Sequence, residues 1–224
     1  MFLERRSTMK LEELYLLLLE THGPQGWWPV DEAYHRVNGT DPREEIIIGA
    51  VLTQNTSWKN VEKAIENLKK HNGLSLSFVR RTSLEVLREL IKPAGFYNLK
   101  AERLKTIADF FEPVEKVRYV ERKELLKVKG IGQETADAIL LYAGDRLTFV
   151  IDKYTQRFMK RFAKVEGSYG ELKMFFEENL PKDLRVYKEF HALIDQHAKV
   201  VCKSTPLCGE CFLRASCLSA SPSF

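Results

Sequence analysis

The stretch KVKGIGQETADAIL, residues 127–140, decides how the whole chain is read. Gly130 and Gly132 flank Ile131, and after them Ala136, Ile139 and Leu140 recur at helical spacing. A glycine–apolar–glycine turn that opens a helix exposes backbone N–H groups with no Cβ in the way, at the positive end of a helix dipole. Phosphate binds well at such a turn. The same glycines also suit a plain C-cap followed by a tight helix–helix turn. The surroundings must choose between the two.

Charge distribution is compatible with the first reading without deciding for it. The net charge is only +4, but residues 116–164, which contain the turn, carry 12 Lys and Arg against 6 Asp and Glu. Residues 1–45 carry 5 against 9. A basic block on a near-neutral protein suits a polyanion docking on one face, although a solvated lysine-rich surface has the same composition. At 224 residues, 44% hydrophobic and 29% charged, the chain can bury a real core and is not disordered. The apolar run LYLLLL spans six residues between Glu13 and Glu20, too short for a membrane span. The expectation is an intracellular, cytoplasmic protein (on the nucleoid if the cell is prokaryotic), monomeric, without a membrane partner.

Outward from the turn, nearly every segment reads as helix. Leu11, Leu14, Tyr15, Leu18 and Leu19 form an apolar stripe ended by His22-Gly23-Pro24. In TDPREEIIIGAVLTQ, Asp41 is placed to cap a helix, with Pro42 in its first position and Glu44 closing a capping box. Ser57 can cap the next helix, which stops by Gly73. Further helical stretches cover roughly 83–91, 99–111, 121–128, 133–143, 153–162, 170–179 and 185–200, punctuated by Pro93, Pro113 and Pro181. LTFVI, residues 147–151, has strand composition but is short enough to be an extended connector. The pattern predicts an all-α fold.

All four cysteines lie near the C-terminus, in CKSTPLCGECFLRASC. Cys202, Cys208, Cys211 and Cys217 have the spacing C-x5-C-x2-C-x5-C. Core cysteines would be scattered; four in one short loop are what a metal centre requires. Spacing alone leaves zinc and an iron–sulfur cluster both open.

The hairpin stretch, the following FVIDKYTQRFMKRF, the earlier VLTQNTSW and IKPAGFYNLKAERL, and the cysteine loop occur in one order. That combination resembles the endonuclease III family of DNA glycosylases, from about Leu11 to Cys217. The cysteine loop is one residue shorter than the family's usual spacing. The resemblance implies a two-lobed helical protein, with a six-helix barrel over 41–147. Residues 1–40 and 148–224 would form a second lobe holding a [4Fe–4S] cluster on loop 202–217, with zinc as the alternative. Double-stranded DNA containing damaged bases would lie across the cleft. Gly130 and Gly132 would then offer hairpin amides to a DNA phosphate, Lys129 would add charge, and Gln54 would enter the gap left by a flipped nucleotide.

One departure sets the expected chemistry. Bifunctional members carry a lysine two residues after the second hairpin glycine, which attacks the sugar through a Schiff base. Here that residue is Glu134. A carboxylate cannot form an imine, so the expected reaction is simple hydrolysis. Asp152 matches the family's catalytic aspartate; its bland role is an N-cap. Trp27, Trp28, Pro29 and Trp58 are candidates to stack on the flipped base, with ordinary aromatic core as the alternative. Glu134 is a further candidate to line that pocket, where its charge would favour a cationic base. WWP and LTQNTSW together, with the glutamate, are similar to the 3-methyladenine glycosylase branch. The resemblance thus implies a monofunctional glycosylase of alkylated purines. Glycosylases of other damaged or mismatched bases, a non-catalytic DNA-binding module and a zinc-binding adaptor are the competing readings.

Overall fold

The computed structural model describes residues 9–220, and among them there is no β-strand. The fold is all-α. Twelve α-helices among these residues, with short 3₁₀ turns between some of them, divide into two compact units. One unit runs from Trp28 to Arg146; the other joins the described residues up to Trp27 with those from Leu147 onward.

The Trp28–Arg146 unit is built around α3 (Pro42–Leu52), in which every residue from Glu45 to Leu52 is buried. A helix apolar on all sides has to be surrounded. Around it pack α4 (Trp58–Lys70), α7 (Tyr97–Phe110) and α9 (Gln133–Ala138), while α5 (Leu76–Arg81) and α6 (Leu84–Ile91) lie against α7. In α4 the buried residues are Val61, Ala64, Ile65 and Leu68, one stripe at helical period. The short α2 (Glu32–Asn38) is tied to this unit by a buried polar cluster. Glu45 Oε2 accepts from the Asp31 N–H at 2.9 Å and lies 3.0 Å from His35 Nε2, and Lys69 Nζ stands 3.7 Å from Oε1. A carboxylate 3% exposed needs such partners. This cluster explains why the unit begins at Trp28, where the sequence reading starts the barrel at 41.

Two caps differ from expectation. Asp41 does cap α3, accepting from the Arg43 N–H, but Glu44 does not close a box on it. Glu44 instead accepts from the Leu76 N–H at 2.8 Å, holding the start of α5 against α3. Ser57 occupies the cap position of α4 without a side-chain hydrogen bond. Helices α2 and α5, seven and six residues long, are too short to show a hydrophobic period and were not expected.

The other unit packs α1 (Leu11–His22) and α10 (Lys153–Phe162) on the long α12 (Leu184–Val200), with α11 (Tyr169–Asn179) beside α1. LTFVI is an extended connector without strand pairing. It is anchored by Phe149, which stacks on Phe176 with ring centroids 4.1 Å apart and also touches Tyr187 and Phe190. That anchor fixes where the following Asp152 begins α10. Among the described residues no helix is long and apolar enough to cross a membrane.

Candidate active site and nucleic-acid interface

The hairpin consists of α8 (Arg122–Leu125), a tight turn, and α9, which continues into a π-helical turn over Ile139–Ala143. Its two helices are joined by a forked ion pair. Arg122 Nε and Nη2 donate to the two carboxylate oxygens of Asp137 at 2.7 and 2.8 Å, and Asp137 is fully buried. Between the helices Gly130 has φ +87°, a left-handed conformation that other residues resist. A Cβ there would lie 2.5 Å from Arg103 Nε. Gly132 begins α9 with open space where its Cβ would stand, and Lys129 and Glu134 are exposed on either side.

Gln54 reaches this turn from the segment after α3. Its Nε2 donates to the Gly130 carbonyl at 3.1 Å and to Thr135 Oγ1 at 3.0 Å, while Arg103 Nη1 donates to its Oε1. So Gln54 meets Gly130 in the turn that also carries Lys129 and Gly132, while Glu134, a candidate for the base pocket, stands just beyond it in α9. Arg103 and Thr135 complete the group without having been foreseen.

In the same unit the Trp28 ring meets Trp58 edge-on at 5.5 Å and Tyr142 at 5.5 Å, forming a three-ring cluster. The indole lies so close to Gly49 that a Cβ there would come within 3.0 Å of it. Tyr142 sits in the π turn, an irregularity frequent at functional sites. Pro29 is exposed beside Trp28, and Trp27 is half-buried in the other unit. Phe96 is a further residue that the sequence reading passed over: it is 67% exposed and holds φ +46° directly after Gly95.

Asp152 caps α10, its Oδ1 accepting from the Thr155 N–H at 2.6 Å. Its Oδ2 lies 3.9 Å from His191 Nε2 on α12, and both side chains are largely enclosed, at 14% and 11% exposed. One turn further along α12, Asp195 is paired with Lys199; burial raises its pKa, and the neighbouring charge of Asp152 raises it further. A carboxylate therefore stands at the helix start with its two oxygens in different environments.

The four cysteines line one cavity of about 250 Å³, walled also by Phe158, Phe162 and Leu213. All four are free thiols. Burial pushes the Cys211 thiol up, and the other three cysteines push in the same direction. To ligate a cation they would have to give up their protons. Arg161 braces the loop, donating to the Cys202 and Ser204 carbonyls at 3.3 and 2.8 Å, and His197 Nε2 stands 3.7 Å from Cys211 Sγ. Among the described residues no three His, Cys, Asp or Glu side chains converge as ligands of a single ion do.

This arrangement is that of a helix-hairpin-helix DNA repair protein. The model of the HhH-GPD superfamily of base excision DNA repair proteins matches residues 48–182, and the chain belongs to that superfamily. A provisionally named DNA repair glycosylase of Methanocaldococcus jannaschii is 45% identical over 219 residues, covering 92% of this chain and 95% of that one. Endonuclease III of Thermotoga maritima is 30% identical over 181 residues, 80% of this chain and 83% of its own. Among solved structures, the 3-methyladenine DNA glycosylase MagIII of H. pylori, bound to 1,N6-ethenoadenine, shares 28% identity. It covers 85% of this chain and 98% of that one, with a TM-score of 0.69. The protein is a DNA glycosylase of base excision repair and binds DNA.

Proposed function

We propose that this glycosylase is monofunctional and hydrolyses the N-glycosidic bond of alkylated purines, 3-methyladenine foremost. The observation that carries the reading is Glu134, exposed in the first turn of α9 where bifunctional relatives present a lysine. A carboxylate offers no amine for a Schiff base, so the strand-breaking route through this position is closed. MagIII, similar over nearly its whole length, supports an alkylated purine as substrate.

The chemistry follows from the charge. 3-Methyladenine in DNA is cationic and leaves as a neutral base without being protonated. As the C1′–N bond breaks, positive charge passes to the sugar, and water adds at C1′ while losing a proton. Asp152 stabilises that charge or accepts that proton. Its Oδ1 is fixed by the Thr155 N–H, which holds the carboxylate in place. Trp28, Trp58 and Tyr142 supply electron-rich faces for a cationic base, and Glu134 adds a negative charge on the same unit. Gly130, Gly132 and Lys129 take a backbone phosphate, Gln54 enters the gap, and exposed Phe96 suits an apolar wedge between bases.

Cys202, Cys208, Cys211 and Cys217, gathered on the lining of one cavity, supply the donor chemistry of an iron–sulfur cluster. Such a group would close the loop that follows α12 on itself, a structural service outside the reaction.

Borohydride reduction during turnover tests the monofunctional assignment. Free base should appear with no trapped protein–DNA adduct and no strand cleavage. A robust adduct would show an amine nucleophile and end this reading.

A further inference from the structure

Arg103 is the residue of the DNA-binding unit whose position has no account so far. Its side chain lies flat over Gly130, with Nε, Cγ and Cδ at 2.5, 2.6 and 2.7 Å from where a Cβ would be. Gly130 is therefore glycine for two reasons, its left-handed backbone and the guanidinium stem above it. Through Nη1 Arg103 grips the Gln54 oxygen, and the Gln54 nitrogen in turn grips Gly130 and Thr135. Two of these bonds hold Gln54 on the hairpin, and the third ties it to α7. Yet Arg103 Nε is buried with no hydrogen-bond acceptor. A cation with an unsatisfied N–H is not in its best arrangement.

If Gln54 enters the duplex, it has to leave all of these partners. That would strip Arg103 of the acceptor it has and leave a half-buried guanidinium beside the turn. The anion at hand is a phosphate of the DNA backbone, and the guanidinium fork is built to take two of its oxygens. We propose that Arg103 changes partner during lesion capture, holding Gln54 against the hairpin in the DNA-free protein and taking a DNA backbone phosphate once Gln54 leaves. This rests on the reading of Gln54 as the inserted residue. The exchange couples insertion to binding: a new charge-assisted contact forms only where a nucleotide has been displaced.

The test compares the full-length protein with its Arg103→Gln and Arg103→Lys variants. Binding is measured by anisotropy over a range of salt, on an undamaged duplex and on the same duplex carrying a stable abasic analogue. Arg103→Gln should weaken abasic binding about tenfold and lower its salt slope by about one, leaving the undamaged duplex unaffected. Arg103→Lys should keep the slope and recover only part of the affinity, since it retains the charge but not the fork. Thermal melts identify a misfolded variant, and the lysine variant keeps the question open to measurement if the glutamine one fails. Equal losses on both duplexes would make Arg103 a permanent contact and overturn the exchange; no loss on either would remove it from DNA binding altogether. Gln54→Ala separates the two layers. Wild-type base release in Gln54→Ala overturns the insertion reading itself, whereas an impaired Gln54→Ala alongside an unaffected Arg103→Gln overturns the role of Arg103 alone.

Discussion

In the hydrolysis proposed above, Asp152 serves the fold and the reaction at once. One oxygen satisfies a backbone N–H of the first turn of α10, and the other faces His191. Asparagine caps a helix about as well as aspartate but carries no charge. Asp152→Asn should therefore leave the melting temperature and DNA affinity nearly unchanged while base release falls about 10²–10⁴-fold. Single-turnover release on methylated DNA, run beside a thermal melt, checks both halves; wild-type turnover would reduce Asp152 to a cap. The placement of Asp152 at a helix start, of the hairpin glycines in a tight turn and of the cysteines in one loop was legible in the sequence, because each demands a residue type at short spacing. Arg103, His191 and Tyr142 were not. Arg103 meets Gln54 across 49 residues, and that proximity arises only when α7 packs beside α3.

Elements in this protein are joined by polar side chains buried at helix ends, and Lys100 is the clearest case. It is 1% exposed, yet its Nζ donates to the Leu52 carbonyl at the end of α3 and to the Ala94 carbonyl before α7, at 2.8 and 2.7 Å. Two orphan carbonyls of tight turns are satisfied by one ammonium. Burial pulls the Lys100 pKa down to about 8, with Arg103 adding to the shift. The unfolded chain keeps its proton to about 10.4. Between these values the unfolded state binds more protons, so the Lys100 contribution to stability rises as pH rises from about 8 and levels off above the unfolded pKa. Lys100→Met, which leaves both carbonyls without their donor, should be destabilised by roughly 1–3 kcal/mol per carbonyl. Its deficit against wild type should be larger at pH 10 than at pH 7.5 in denaturant titrations. A deficit independent of pH would mean that Lys100 ionises normally. A similar logic explains Glu44: its sequence position suggested a capping box, but the buried Leu76 N–H needed an acceptor more than the cap did.

At the scale of the molecule, Asp152 and the cysteine loop belong to one unit, and the hairpin, the aromatic cluster and Gln54 to the other. The helical character of both was readable in advance. The start of the Trp28–Arg146 unit was not, because α2 joins it through the Glu45 cluster rather than through an apolar stripe. The cysteine cavity makes its own prediction. Anaerobically purified protein should be brown and contain about four irons per chain, lost together when Cys208 is replaced by serine. Stoichiometric zinc without iron would contradict that assignment. The central claim is the choice of a cationic purine by a hydrolytic site. It is tested most directly by chromatography of the bases released from duplexes carrying 3-methyladenine, and from matched duplexes carrying the uncharged lesions hypoxanthine or uracil. Free 3-methyladenine should be released rapidly with intact strands, and the neutral bases hardly at all. Equal or faster release of hypoxanthine or uracil would contradict it.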